Sequence, residues 1–354
     1  MRGIRKISLW IVTALLLLVP ARAAASGHDA PSEPGEIDMQ SYIFGHIGDA
    51  YEWHITTVNG RHISIPLPCI VIDDGVHVFL SNHIEGSGYT LNEEGKLVNA
   101  TTGERPVDIS ITKNVFSLIL SSILLVVLIL WTASWYRKHD VMKEAPRGFA
   151  GLMEMLITMV TNDIIKEGVG KDYERYAPYL LTAFFFIFLN NLLGIVPFFP
   201  GGANLTGNIA VTMFLALCTF LAVNLFGNKH YYKDIFWPEV PTWLKVPLPL
   251  MPLIEIIGMF TKPFSLMVRL FANILAGHIM LLGVVAVVFL TATLGPVLNG
   301  SMTVIAVLFG VFMDLLELLV AFIQAYVFTM LSSVFIGLSR QEPENESKQL
   351  ETTK

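Results

Sequence analysis

The chain has 354 residues, 53% of them hydrophobic and only 15% charged, with a mean hydropathy of +0.60. Soluble domains carry about 25% charged residues, so a soluble enzyme or a nucleic-acid binder is excluded and an integral membrane protein is indicated. The net charge of -6 is scattered and selects no partner, and the two cysteines, Cys69 in a polar region and Cys218 in an apolar one, set up no disulfide framework.

In chain order, residues 1–25 read as a cleaved signal peptide. Arg2, Arg5 and Lys6 precede a short apolar core, Leu9–Val19, and Ala21-Arg22-Ala23 fits the small-residue cleavage pattern. The other reading, an extra transmembrane helix, suffers from the shortness of that core, and both readings place the next residues of the chain outside the cytoplasm. Residues 26–112 are expected to form a small β-rich extracytoplasmic extension. Strand-like runs occur at Tyr51–Thr57, His62–Pro66, Cys69–Asp73 and Val76–Leu80, with Asp74-Gly75 as a hairpin signal. The spacings of His54, His62, His77 and His83 match no familiar ligand pattern, so no metal site is expected.

Residues 113–338 then read as an all-α membrane domain with about five transmembrane helices, at about 115–135, 179–199, 209–226, 254–290 and 301–338. An amphipathic stretch, Gly151–Ile165, lies in the connection after the first. The last two runs would each reach about 55 Å as helices, against a hydrocarbon core near 30 Å. They are expected to be strongly tilted and to form a hairpin at Thr291–Gly300, whose Gly295-Pro296 and Asn299-Gly300 are turn dipeptides. Basic residues crowd the 136–178 and 228–252 loops and the tail, and are missing from 200–208 and 291–300. That asymmetry puts the C-terminus in the cytoplasm and the extension outside. The tail, 339–354, is polar and expected to be disordered.

The most informative residue is Arg269, a lone cation between Phe264–Val268 and Leu270–Leu290. An arginine near a helix centre in lipid costs about 2.5–3.5 kcal/mol on insertion scales, and it cannot escape by losing its proton. Asn273 shares its face, four residues on. On the last helix Asp314, Glu317, Ala321 and Gln324 form one face of an otherwise apolar segment. Asp, Glu and His groups strung through a membrane are what a proton relay requires. The plainer reading is structural: Asn273 and Gln324 as helix-to-helix hydrogen bonders, and Asp314 and Glu317 as in-chain partners neutralising Arg269.

The segment Lys262-Pro263-Phe264-Ser265-Leu266-x-x-Arg269-Leu270-Phe271-Ala272-Asn273-x-x-Ala276-Gly277-His278 resembles the signature of subunit a of F-type ATP synthases. So do Glu317-x6-Gln324-Ala325-Tyr326-Val327-Phe328 and the motif of Asn190, Asn191, Gly194 and Pro197 followed by Asn204, Thr206 and Asn208. The likeness covers about 115–340 and leaves the extension unexplained. It implies a non-catalytic, proton-translocating stator subunit of the bacterial inner membrane, without a cofactor. The implied partners are a ring of c subunits, a b-subunit peripheral stalk and the rest of the complex. Arg269 would face the ring carboxylates, and two half-channels would feed and drain the ring. By the same resemblance Asn273, His278, Glu317 and Gln324 belong to the outer half-channel and Glu255 and Ser265 to the inner one, with Asp314 a further relay candidate. Many bacterial members carry Glu where His278 stands and His where Glu317 stands, an exchange that keeps one imidazole and one carboxylate. A secondary transporter or channel with a midplane arginine is the alternative, but no internal repeat is visible. A membrane enzyme ranks last, since no HExxH, GxSxG or P-loop pattern occurs.

Overall fold

The computed structural model describes residues 48–340 except 59–60, 93–94, 141–143, 197–200, 204, 237–249 and 292–294. The signal peptide, residues 26–47 of the extension, Pro197, Asn204 and the tail from 341 onward lie outside the described residues, as do the side chains of His54 and His62.

The extension is built from short antiparallel strands. β1 (Glu52–Val58) pairs with β2 (Arg61–Pro66), β3 (Pro68–Asp73) lies between β4 (Gly75–Leu80) and β7 (Val107–Asp108), and β5 (Tyr89–Leu91) pairs with β6 (Leu97–Asn99). Asp73 stands opposite Gly75, so Asp74 alone makes the hairpin tip. Alternation along β3 sends Cys69 and Val71 into a small core with Tyr51, Tyr89 and Leu97. Burial, and then the nearby Asp108 charge, push the Cys69 thiol up to about 11, so it stays an inert core residue at neutral pH.

The extension is fastened to the first membrane helix, α1 (Lys113–Lys138), at that helix's opening turn. Thr112 caps the helix by accepting from Val115 N. Asp49 Oδ1 accepts from Asn114 N at 3.0 Å, and Lys113 N donates to Ala50 O at 2.8 Å. A carboxylate at a helix N-terminus suits the positive end of the dipole. Burial nevertheless dominates and raises the Asp49 carboxyl above its usual range, with the Asn114 N–H pulling the other way. Trp53 closes the joint with an edge contact to Phe116 of α1.

After α1 the chain folds as a helical membrane body. α2 (Phe149–Met159) runs into a π-helical turn, Val160–Lys166, and a last turn, Glu167–Val169. Gly170, at φ 77°, ends it in a conformation that only glycine adopts without strain. Then follow α3 (Tyr173–Ile195), α4 (Ile209–Leu225), a short α5 (Lys229–Phe236), α6 (Leu250–Thr291) and α7 (Pro296–Arg340). Four apolar helical segments are long enough to cross a membrane, 113–138, 149–195, 251–291 and 297–340, and Ile209–Leu225 is a shorter fifth. The all-α membrane architecture with a β-rich N-terminal region is therefore as the sequence implied. The 42 residues of α6 and 45 of α7 make rods of about 63 and 67 Å.

Several boundaries differ from expectation: α3 starts at Tyr173 rather than about 179 and α6 at Leu250 rather than about 254, and the hairpin and the end of α7 differ more consequentially. Asn299-Gly300 is not a turn but the first turn of α7. Pro296 opens the helix at the position where proline is favoured, and Asn299 Oδ1 accepts the Thr291 hydroxyl across the hairpin at 3.2 Å. Ser339 and Arg340, expected to begin the tail, complete α7. Arg340 pairs with Asp172 and donates to Phe226 O and Asn228 Oδ1, each at 3.0 Å, which ties the end of α7 to the start of α3 and to the α4–α5 connection.

The interior is filled by Ile164 and Ile165 of the π turn, Phe184, Phe186 and Ile187 of α3, Leu215 of α4, Leu270 of α6 and Ala325, Phe328 and Ile336 of α7. Lipid is as apolar as these side chains, so helix association rests on close packing of small residues. The tightest crossing is α7 on Glu167–Val169. A Cβ on Gly337 would lie 1.9 Å from Gly168 O, and one on Gly168 2.2 Å from Ser333 Oγ. Ser333 also donates to Ile164 O at 3.2 Å. Gly337→Ala is expected to cost about 1–3 kcal/mol by overpacking, seen as a lower melting temperature of the purified complex. Gly310→Ala, where a Cβ meets nothing within 4 Å, should leave the melting temperature unchanged.

Candidate functional site

α6 carries two neighbouring stripes of opposite character. Leu266, Leu270 and Ile274 are buried and seat the helix in the core. Ser265, Arg269 and Asn273, offset by one residue at the same four-residue spacing, are exposed. Among the described residues Arg269 has no ion pair and no hydrogen bond. It lines a shallow crevice with Gln324, Phe328 and Leu331 of α7. Gln324 is buried, 6% exposed. The structural alternative, in which Asp314 and Glu317 neutralise Arg269, is not what the fold adopts.

Glu317 meets His278 instead. His278 Nδ1 lies 3.5 Å from Glu317 Oε1, with the two side chains 15% and 10% exposed. Two glycines make room for them. A Cβ on Gly277 would come 3.2 Å from Glu317 Oε1, and one on Gly194 of α3 would come 3.4 Å from His278 Nε2. Asp314 lies one turn nearer the hairpin, on the same face of α7, and is exposed. From the hairpin inward, α7 thus presents an exposed carboxylate, then one paired with an imidazole, then a buried amide beside Arg269.

The Asn190–Asn191 motif of α3 backs this region, and the two residues divide the work. Asn191 Nδ2 donates to Ala321 O of α7 at 3.3 Å, and its Oδ1 accepts from Thr206 Oγ1 at 2.7 Å. It fixes α3 to α7 and to the segment preceding α4. Asn190 Nδ2 donates to Phe186 O within its own helix at 2.8 Å.

Glu255 stands apart from the cluster. It is half-buried on α6, about 21 Å along the helix from Arg269. It lies close to Tyr231 of α5, whose phenol is raised by burial first and then by the charges of Tyr232 and Glu255. A second crevice opens here among α4, α5, α6 and α7, lined by Thr219, Asn224, Tyr231, Lys262 and Phe335. The Lys262 ammonium sits 5.6 Å over the Phe335 ring. Thr219 shares hydrogen bonds with Tyr179 OH at 2.8 Å and Ser332 Oγ at 3.2 Å. Thr219, Asn224, Tyr231 and Ser332 are not among the candidates drawn from the sequence. A polar residue repeated within an apolar run, as in Thr219 and Asn224 of α4, was the available signal. Among the described residues no three His, Cys, Asp or Glu side chains gather as a metal site would need.

Residues 118–337 match the family described as ATP synthase A chain. Residues 42–114 match a different family, described as a domain of unknown function. ATP synthase subunit a 2 of Chlorobaculum tepidum is 42% identical over 254 residues, 70% of this chain and 68% of that protein. ATP synthase subunit a of Chlorobium phaeobacteroides is 38% identical over 275 residues, 76% of each. ATP synthase subunit a of Myxococcus xanthus is 42% identical over 241 residues, 66% of this chain and 74% of that protein. A family match across the whole helical body, joined to the arginine-bearing helix and its polar neighbour, shows that this multi-pass membrane chain belongs to the ATP synthase A chain family.

Proposed function

We propose that the chain is the proton-carrying stator subunit of an F-type ATP synthase, which passes protons through two half-channels to and from a ring of c subunits. The observation that carries this reading is the exposed Arg269 on an apolar helix, which has no ion pair among the described residues. A guanidinium so placed needs a counter-charge from outside the chain, and a ring of carboxylates moving past supplies one. Opposite Arg269 an arriving carboxyl is driven to its ionised form and gives up its proton. The fixed cation also stops protons from crossing directly between the two half-channels. The chain performs no bond chemistry of its own. Protons descending the membrane potential do about 2.3 kcal/mol of work per charge per 100 mV, and that work turns the ring.

In this reading Asp314 collects protons at the hairpin side, the Glu317–His278 pair relays them, and Asn273 and Gln324 lead to the ring beside Arg269. Ser265 and Glu255 lie toward the inner exit, and the crevice of Thr219, Asn224, Tyr231 and Lys262 supports an aqueous route there. The reading places the protein in the bacterial inner membrane, with the extension periplasmic and the C-terminus cytoplasmic, beside a b-subunit peripheral stalk.

Arg269→Ala should abolish ATP-driven proton pumping in inverted vesicles, below about 1% of the parent, while the complex still assembles; a pumping mutant overturns the reading. His278→Ala and Glu317→Ala should each slow passive proton flux by about tenfold or more, as removal of an acid–base group does. The exchange His278→Glu with Glu317→His keeps one imidazole facing one carboxylate and should conduct faster than either alanine variant, measured on vesicles stripped of the catalytic head.

A further inference from the structure

We infer that the extension lies on the bilayer, with the uncovered face of its three-stranded sheet seated in the lipid leaflet at the Lys113 end of α1. This seating is independent of the proton route proposed above.

β4, β3 and β7 form one sheet, and their register fixes what each face carries. Cys69, Val71 and Phe79 turn to the core, where Phe79 stacks on Tyr89 with ring centroids 5.5 Å apart. The β5–β6 hairpin covers that face through Tyr89 and Leu97. The alternate residues stand on the other face. Ile72 pairs with Val76 on one side and with Val107 on the other. Ile70 pairs with Val78, and its carbonyl accepts from Ile109 N at 2.9 Å. Pro68 pairs with Leu80, and its carbonyl accepts from Ile111 N at 3.0 Å. These three rows hold aliphatic side chains and one proline, with no polar side-chain atom. Val76 and Val78 are 68% and 67% exposed, and Ile72, Leu80, Val107 and Ile109 are exposed as well. An antiparallel sheet with one face in water carries polar residues on that face; this one does not.

Depth and size both point to lipid as the cover. Trp131 and Trp135 mark one membrane interface on α1, just before Arg137 and Lys138. A hydrocarbon core of about 30 Å takes about 20 helical residues, which brings the opposite boundary to about residues 111–115. That is the start of α1 itself. Pairing with β3 continues to Ile111, and Ala50 and Asp49 bond the first helical turn, so no linker lifts the sheet away. The sheet therefore begins at headgroup depth. Residues on one face lie about 6.8 Å apart along a strand and strands about 4.8 Å apart, so the patch covers roughly 300 Å². A stable protein interface needs about 800 Å² per partner and is enriched in aromatic residues, methionine and arginine. The patch offers less than half that area and none of those residues. Lipid sets no such minimum, because α1 already anchors the chain in the membrane.

The test uses the whole complex, cleared of other reactive cysteines, in vesicles of phosphatidylethanolamine and phosphatidylglycerol. A nitroxide is attached to Val76→Cys, Val78→Cys or Val107→Cys, and to Thr90→Cys of β5 as the control on the covered side. Power saturation reads collisions with oxygen, which concentrates in lipid, and with a nickel chelate, which stays in water. Apolar interfacial faces reach about 5–10 Å into the headgroup–acyl boundary, so the patch labels should meet nickel at least about fivefold less than Thr90→Cys and meet oxygen more. Patch labels open to nickel put the face in water and overturn the inference. Labels shielded from both relaxants put it against protein, a second copy included, and overturn it equally. Val78→Asp, read through Val107→Cys, separates the patch from the tether. Nickel access gained at 107, with the Thr90→Cys signal unchanged, supports the seating. A lipid signature that persists at 107 means that α1 alone holds the sheet down, and overturns it. If Val78→Asp fails to assemble, the labels in the otherwise parental chain decide.

Discussion

A guanidinium that cannot lose its proton stands exposed on a helix otherwise made for lipid, and among the described residues the packing of the helical body leaves it unneutralised. Two charges 4 Å apart near a protein surface attract with about 4 kcal/mol, so a mobile carboxylate on α7 would close onto Arg269 if the packing let it. The packing does not. Leu266, Leu270 and Ile274 lock the rotation of α6, which fixes the neighbouring stripe outward. Glu317, the carboxylate best placed to intrude, is held at His278. On the proposed reading this withholding is the function, because a cation already satisfied within the chain would have nothing to offer a passing ring carboxyl.

The proposed relay pair, His278 and Glu317, depends in turn on α3. Side chains that transfer protons act only when held to within about 0.5 Å of the working geometry by a second layer of packing and hydrogen bonds. Here that layer is Asn191, which bonds α7 through Ala321 O and the pre-α4 segment through Thr206, and Gly194, which lets the imidazole approach the helix. Small residues serve the same purpose at the other end of α7, where Gly168 and Gly337 bring two backbones together. Lipid gives helices no hydrophobic reason to associate, so precision in this body comes from glycines and shared hydroxyls.

Much of this was legible in the sequence, and the part that was not has a physical cause. Helical periodicity puts Arg269 with Asn273, and Glu317 with Gln324, on common faces, because residues four or seven apart on one helix have no freedom to do otherwise. Hydropathy located the long helices for the same reason: lipid leaves no alternative to satisfied backbone. Which of two acids meets His278, and that neither meets Arg269, depends on how α6 is rotated against α7, and periodicity within one helix is silent on that. Asn299-Gly300 misled because turn dipeptides report local preference, while Pro296 and the Thr291–Asn299 hydrogen bond fixed the helix start one turn earlier. Ser339 and Arg340 looked like tail because they are polar, yet Asp172 and Asn228 satisfy the arginine and draw the helix end inward.

The extension adds a mechanical consequence. It matches a family separate from that of the helical body, and its match ends at residue 114, inside the first turn of α1. A domain joined by a loose linker would be free to reorient, whereas this one shares backbone and side-chain hydrogen bonds with that turn through Ala50 and Asp49. Asp49 is a costly choice for the task, since burial works against its charge. The Asn114 N–H is the first of the groups that offset this, followed by Thr112, the Lys113 charge and the Ala50 N–H, all at or beside the helix start. They therefore tie the seating of the extension to the integrity of the helix start, and a force on the extension reaches α1 without slack.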